Sequence, residues 1–223
     1  MNASPTLSTL EAYERWSVTY PPVPHNPLMR AEQKVMFEYW PDVAGKQALD
    51  LGCGTGRYAQ RLIDDRAAAV VALDLSEGML RRVTTPGRVR ADMTHLPVRS
   101  GALDVVVSGL AIGHAGSIYA WMNEVKRVLR DGGVVLYSDF HPEASRAGLL
   151  RSFTDQQGQK VAVPHAAYGL EEHRAAAAAA GLTVDLVLEL RAGREIAEEF
   201  PGSREFYTRW SGLPLLVIVR AHR

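Results

Sequence analysis

The stretch Ala48-Leu49-Asp50-Leu51-Gly52-Cys53-Gly54-Thr55-Gly56-Arg57 decides the fold. An apolar run closes on an acid, and three glycines follow at every second position. Tyr58-Ala59-Gln60-Arg61-Leu62-Ile63 then reads as the start of a helix. Strand, tight turn and helix N-terminus in that order form the first unit of a nucleotide-binding α/β sheet. Glycines let the turn close sharply and bring backbone near a ligand that a Cβ would exclude. A second acid, Asp74, closes the next apolar run, Ala69-Val70-Val71-Ala72-Leu73. It stands about 20 residues further on, the spacing of a carboxylate on a ribose diol at the tip of the second strand.

Two ligand classes use this arrangement. Nicotinamide enzymes show G-x-G-x-x-G, with a helix N-terminus aimed at a pyrophosphate. The spacing here is G-x-G-x-G, with Asp50 two residues before the first glycine. A carboxylate there repels a pyrophosphate and attracts the ammonium of an amino-acid tail, which S-adenosylmethionine carries. A third acid, Asp92, follows the short strand Arg88-Val89-Arg90, with Met93 next to it. That pair suits an adenine, the carboxylate accepting from the amino group and the next N–H donating to a ring nitrogen. No tyrosine has a lysine four residues later, so the Tyr-x-x-x-Lys pair of short-chain dehydrogenases is missing. Methyl transfer therefore ranks ahead of an NAD(P)-dependent oxidoreductase. A catalytically silent protein that binds S-adenosyl ligands stays open, since fold does not fix function.

Four blocks in order carry a family resemblance: Asp50–Gly56, Val71–Met79, Ala91-Asp92-Met93 leading to Leu96-Pro97, and Glu124–Gly133. With them the chain resembles a class I S-adenosylmethionine-dependent methyltransferase of the small-molecule type, as in quinone, biotin and antibiotic pathways. Asp131 stands where the family's turn usually has proline, and Asp also suits a turn. The resemblance spans roughly residues 45–140. It implies a Rossmann-like, doubly wound sheet of seven strands, mostly parallel with an antiparallel last strand, helices covering both faces. These readings put the cofactor on Asp50, Gly52, Gly54, Asp74, Leu75, Met79, Asp92, Met93 and Ser108.

The 223 residues, 47% of them hydrophobic, suffice for one domain with a full core. Lys+Arg and Asp+Glu both number 25, so there is no basic surplus of the kind that neutralises nucleic-acid phosphates. The single cysteine, Cys53, excludes a disulfide framework within the chain. The longest apolar run, Leu213–Val219, is too short to span a bilayer, and the N-terminal residues, with Glu11 and Glu14, lack a signal-peptide core. The expectation is a cytoplasmic monomer or homodimer acting on a small molecule, with no nucleic-acid or membrane partner.

Alternating patterns place strands near 47–51, 69–74, 88–90, 103–108, 133–139, 184–190 and 215–220. Helices fall at 8–20, 27–40, 56–65, 76–83 and 118–130, with Ser76 and Ser117 as N-caps, and an alanine-rich helix stops at Gly181. The expected domain plan is an N-terminal helical lid (1–40), a cofactor-binding core (45–140) and two cap insertions, 141–169 and 191–213. The first insertion has a hairpin pattern from Ser152 to Val163; the second carries Phe200, Phe206, Tyr207 and Trp210. Insertions this long are commonly functional.

The sulfonium brings its own activation, so the protein must mainly position the acceptor and take its proton where it has one. His114 and His141, each just after a strand end, lead as general bases, ahead of His25 and His165. Tyr20, His25 and Arg30 are read as substrate contacts reaching over the cleft. The fourth strand ends in Ser108-Gly109-Leu110-Ala111, unlike the Asn/Asp-Pro-Pro-Tyr/Phe of nucleic-acid amino-methylating enzymes. Asp139 alone gives no metal site.

Overall fold

The computed structural model describes residues 7–193 and 203–223. Phe200 lies outside the described residues. Seven strands form one sheet: β1 (Gln47–Leu51), β2 (Ala69–Asp74), β3 (Arg88–Arg90), β4 (Leu103–Gly109), β5 (Leu129–Phe140), β8 (Thr183–Arg191) and β9 (Pro214–His222). A separate antiparallel hairpin pairs β6 (Ser152–Thr154) with β7 (Lys160–Ala162), where the sequence pattern places it. The sheet order is β3-β2-β1-β4-β5-β9-β8. The first five strands are mutually parallel, and β9 runs antiparallel to both β5 and β8. Strand order reverses between β1 and β4, and ligands of open α/β sheets bind at such a switch point, beyond the strand carboxyl ends.

The period-two alternation of the strands sorts their side chains into two cores. Leu49, Leu51, Val106, Val135, Tyr137, Val217 and Val219 face one way, onto α5 (Ile118–Val128) and α7 (Leu170–Ala180). Ala48, Val105, Val107, Leu136, Leu216 and Ile218 face the other, onto α2 (Pro27–Glu38) and α3 (Arg57–Asp64). Asp50 shares the parity of Ala48 and is buried in the same layer.

Several element boundaries differ from expectation. α4 covers only Glu77–Leu80. The β-branched run Val83-Thr84-Thr85 and Pro86 behind it stop the helix early. α5 ends at Val128, because Leu129 turns extended and pairs with Leu103. The strand crosses an irregularity at Arg130–Gly133, with Gly132 at φ 77°, before regular pairing resumes at Val134. α7 begins at Leu170, earlier than its alanine run, and ends on Gly181 in the left-handed conformation. Ser76 and Ser117 cap α4 and α5 through their side chains as expected.

Before the sheet, α1 (Thr9–Ser17) starts on a capping box between Ser8 and Glu11. Pro27 opens α2 at a position where a missing N–H costs nothing, behind the N-cap Asn26. α1 docks on two places at once. The Glu14 carboxylate accepts from Gly78 N, at 3.1 and 3.2 Å, and Ala12 packs with Phe153 and Val163 of the hairpin region. Trp16 stacks on Phe153 with ring centroids 4.8 Å apart. After β5 come α6 (Pro142–Arg146) and the hairpin; α8 (Ser203–Trp210) precedes β9. Among the described residues no helix is long and apolar enough to cross a membrane.

Candidate active site

A cavity of about 330 Å³ opens over the carboxyl ends of β1, β2 and β4. Its floor is the glycine loop. Gly52, Gly54 and Gly56 all adopt positive φ (70°, 53° and 86°), which explains three glycines where any other residue would be strained. Gly52 N and Cys53 N donate to Leu73 O at 2.8 and 2.9 Å, tying the loop to the end of β2. A Cβ on Gly54 would meet no atom within 4 Å, so the backbone there is open to a ligand.

Asp74 organises the floor. Its Oδ2 accepts from Gly54 N (2.8 Å) and its Oδ1 from Ser76 N (2.9 Å). Each oxygen retains lone-pair capacity for a hydroxyl. Burial raises its pKa against these bonds. Asp50 is 1% exposed; its Oδ2 accepts from Ala59 N (2.8 Å), while Oδ1 has no partner. Burial pushes the Asp50 carboxyl up to about 7. Leu75, Met79, Asp92 and Met93 also line the cavity. Asp92 is exposed, and its Oδ1 accepts from Thr94 N and Thr94 Oγ1, both at 2.7 Å.

Arg57, which sequence reasoning passed over, lines the same end. Its Nη2 donates to Glu32 Oε2 (2.6 Å), the guanidinium lies 4.3 Å over the Tyr58 ring, and Nη1 has no partner. Glu32, on α2, is fully buried and also accepts from Tyr58 OH (2.8 Å) and Ser138 Oγ (2.5 Å). That network raises the Arg57 pKa further; the guanidinium is a permanent cation. Glu32→Gln should lower stability by on the order of 2 kcal/mol, because it strips the charge facing a buried guanidinium. Urea unfolding with an unshifted midpoint would show that the network contributes nothing.

At the opposite end Tyr13, His114 and Arg151 converge. Arg151 Nη1 donates to Tyr13 OH (2.5 Å) and His114 Nε2 (2.6 Å), and Nη2 donates to Leu110 O (2.6 Å). The guanidinium lies 4.6 Å over the Phe140 ring. His114 Nδ1 is 3.1 Å from Pro164 O. A carbonyl only accepts and a guanidinium only donates, so the proton sits on Nδ1 and the lone pair on Nε2. Burial, then the Arg151 charge, holds the His114 pKa down to about 2. Burial pushes the Tyr13 hydroxyl up to about 12. All these partners of Arg151 are neutral, and among the described residues it has no ion pair.

The other sequence candidates stand elsewhere. Ser108 is buried, its Oγ donating to Leu51 O (2.7 Å), so it stitches β4 to β1 and does not line the cavity. His141 caps α6, accepts from Glu143 N and lies 3.2 Å from Glu189 Oε1, away from the cavity. Tyr20 lines the cavity. His25 packs edge-on against Tyr20 and Trp16 outside the lining, and Arg30 is exposed on α2. His165 borders a second cavity. Asp139 is buried, with a carboxyl pushed up to about 7 by burial, and lines neither cavity. Among the described residues no group of three or more His, Cys, Asp or Glu side chains could hold a metal ion.

The donor set fits S-adenosylmethionine: a carboxylate for a diol at Asp74, an unpartnered carboxylate oxygen for an ammonium, and an unpartnered guanidinium nitrogen for a carboxylate. A methyltransferase-domain profile matches residues 49–137. A malonyl-[acyl-carrier protein] O-methyltransferase of Dechloromonas aromatica (strain RCB) is 38% identical over 165 residues, 73% of this chain and 60% of that protein. The same-named protein of Serratia marcescens is 34% identical over 151 residues, 66% of this chain and 57% of that protein. The chain thus spans under two thirds of the length of these relatives. Among solved structures, an S-adenosylmethionine dependent methyltransferase from Mesorhizobium loti superposes with TM-score 0.69 at 22% identity, over 86% of this chain and 98% of that one. The [4+2]-cyclase SpnF superposes with TM-score 0.70 at 15% identity, over 100% and 99%. These two likenesses speak to the fold, and the methyltransferase-domain match and the curated relatives support a class I S-adenosylmethionine-dependent methyltransferase.

Proposed function

We propose that this protein transfers the methyl group of S-adenosylmethionine to a carboxylate oxygen of a small-molecule acceptor. The observation that carries the acceptor class is Arg151, a cation at the cavity wall whose hydrogen-bond partners are all neutral. Among the described residues no carboxylate hydrogen-bonds this part-buried charge, which buried Asp139 meets only at longer range, and an acceptor carboxylate supplies a direct partner. The relatives named for malonyl O-methylation point the same way.

A carboxylate is already ionised at neutral pH and needs no general base. The state of His114 agrees, since its lone pair is engaged by Arg151 and its pKa lies far below neutrality. His114 then holds Arg151 in place, and the residues around it orient and desolvate the acceptor. When bound, the cofactor supplies a methyl carbon on a sulfonium; the acceptor oxygen forms the new C–O bond as the C–S bond breaks, with no proton to move. Asp74 holds the ribose, Asp92 and Met93 the adenine, and Asp50 and Arg57 the two charges of the amino-acid tail. Tyr13, Trp16 and Tyr20 of the N-terminal segment, with Leu149 and Phe206 from the insertions, act as a cap that excludes water from the reacting atoms.

The test is incubation with methyl-labelled cofactor and a panel of carboxylates, including malonyl thioesters, beside phenols, amines and carbon acids. Alkali-labile label on a carboxylate is the expected outcome; label only on an amine, phenol or carbon overturns the reading. Tight binding of NADH with none of S-adenosylhomocysteine would instead revive hydride transfer.

Asp74→Ala should weaken S-adenosylhomocysteine binding about 10- to 100-fold, the loss of one or two charge-assisted bonds at roughly 1.5 kcal/mol each. Calorimetry showing less than a threefold change would remove Asp74 from the ribose.

A further inference from the structure

Leu110 follows β4 directly and stands in the left-handed backbone region, at φ 57°. Among the described residues only one other non-glycine residue does so, Arg66 in the turn before β2. That conformation crowds a Cβ against the neighbouring carbonyl, and glycine alone adopts it freely. Leu110 is 8% exposed and lines the first cavity, so the strain lies at the site itself. Neighbours on both sides fix the path of the chain here. A Cβ on Gly109 would stand 2.3 Å from Tyr58 Cε2, and one on Gly52 would stand 2.5 Å from Ala111 Cβ. The backbone of 109–111 thus threads between α3 and the glycine loop.

Two oxygens of one residue on β5 hold the strained turn. Leu110 N donates to Ser138 O (2.9 Å) and to Ser138 Oγ (3.1 Å). Ser138 is fully buried, and its hydroxyl donates to Glu32 Oε1 (2.5 Å). With its one proton committed to Glu32, Ser138 Oγ meets Leu110 N only as an acceptor. Glu32 on α2 therefore orients the clamp. On the cavity side Leu110 O accepts from Arg151 Nη2 at 2.6 Å. Rotating φ to an ordinary negative value would break one contact or the other, the N–H on Ser138 or the carbonyl on Arg151.

We infer that Leu110 is a positioning residue for Arg151, held in its strained conformation by the Ser138 clamp so that its carbonyl fixes the guanidinium at the cavity wall. The consequence for catalysis rests on the reading of Arg151 as the acceptor carboxylate's partner. Glycine would reach this conformation without help but would remove an apolar side chain from the wall. The clamp lets a leucine stand there.

The experiment is a double-mutant cycle on Ser138→Ala and Leu110→Gly, with a malonyl thioester of a small thiol as acceptor and saturating S-adenosylmethionine. In the leucine background Ser138→Ala should raise the acceptor KM roughly tenfold, the loss of one buried hydrogen bond, with kcat within about twofold. In the glycine background the same change should raise KM less than about twofold, because glycine holds the left-handed conformation unaided. Equal effects in both backgrounds, or no effect in the leucine background, overturns the inference. The strain is checked without any acceptor: Leu110→Gly should melt roughly 2–4 °C above Leu110→Ala, which loses nearly the same side chain but keeps a Cβ. A glycine variant that melts below the alanine variant overturns it. If the thioester is not methylated, the carboxylate reading fails by itself, and ¹⁵N spectra of the arginine guanidinium groups decide the clamp. Arg151 should then show separate Nη signals in the parent that merge in Ser138→Ala and separate again in the double variant. An Arg151 pattern unchanged by Ser138→Ala overturns the inference.

Discussion

Arg151→Met should lower kcat/KM for methyl transfer to a carboxylate about 30- to 1000-fold, the equivalent of losing roughly 2–4 kcal/mol from a partly desolvated charge pair. The affinity for S-adenosylhomocysteine should stay within about threefold, because Arg151 stands at the end of the cavity away from Asp74, Asp50 and Arg57. Methionine keeps an unbranched apolar stem over Phe140, so the variant should fold, and unchanged cofactor binding checks that it has. Arg151→Lys is the discriminating control. Lysine keeps the charge but cannot span Tyr13, His114 and Leu110 O as a guanidinium does, so an intermediate rate is expected. Two further consequences separate this reading from base catalysis by His114. The rate should show no ionisation of the free enzyme assignable to a histidine near neutrality, since His114 is held neutral down to about 2. His114→Gln, which keeps an acceptor for the Arg151 guanidinium, should retain much of the activity lost in Arg151→Met. A wild-type rate in Arg151→Met with the carboxylate acceptor would remove the charge from the proposed chemistry.

The glycine-loop end of the cavity was legible because its residues are local in sequence. Asp50, the glycines, Asp74, Asp92 and Met93 each sit at a strand end, where period-two alternation breaks into turn chemistry, and parallel β1, β2 and β3 bring those ends side by side. Arg57 was open to detection as a cation directly after the glycine loop, but its buried partner Glu32 comes from a helix 25 residues earlier, and no spacing rule links them. The Arg151 end of the cavity was illegible for the same reason. Tyr13, His114 and Arg151 come from α1, the turn after β4 and the start of the hairpin, with separations of 101 and 37 residues. Only the fold brings them together. His141 shows the reverse failure: a histidine directly after a strand end matches a catalytic pattern, yet its ring caps a helix and leans on Glu189. Position after a strand sets where a side chain starts, and packing sets where it ends.

Asp50 should make cofactor affinity depend on pH in a direction that can be worked out. In the free protein the carboxyl is buried, Oδ1 lacks a partner, and its pKa stands at about 7. An ammonium beside Oδ1 favours the ionised form, so the bound pKa lies lower and binding expels a proton. Affinity should therefore rise as pH increases towards about 7 and fall up to about tenfold for each unit below it. Calorimetry with S-adenosylhomocysteine at pH 6, in buffers of different ionisation enthalpy, should register close to one proton released. Asp50→Asn should flatten this dependence and weaken binding on the order of 30- to 1000-fold at pH 7.5, since the ammonium loses its buried counter-charge. The same carboxyl opposes folding of the free protein. Its folded pKa lies above the unfolded value of about 3.9, so the stability linked to its protonation is present at low pH and is lost as pH rises through about 7. Asparagine can keep the acceptor for Ala59 N without carrying charge, so the free Asp50→Asn protein should melt higher than the parent at pH 8, with the difference vanishing near pH 4. A variant that binds with parental affinity and pH profile would detach Asp50 from the amino-acid tail. A variant that binds weakly but melts no higher at pH 8 would show that the buried carboxyl costs the free protein nothing.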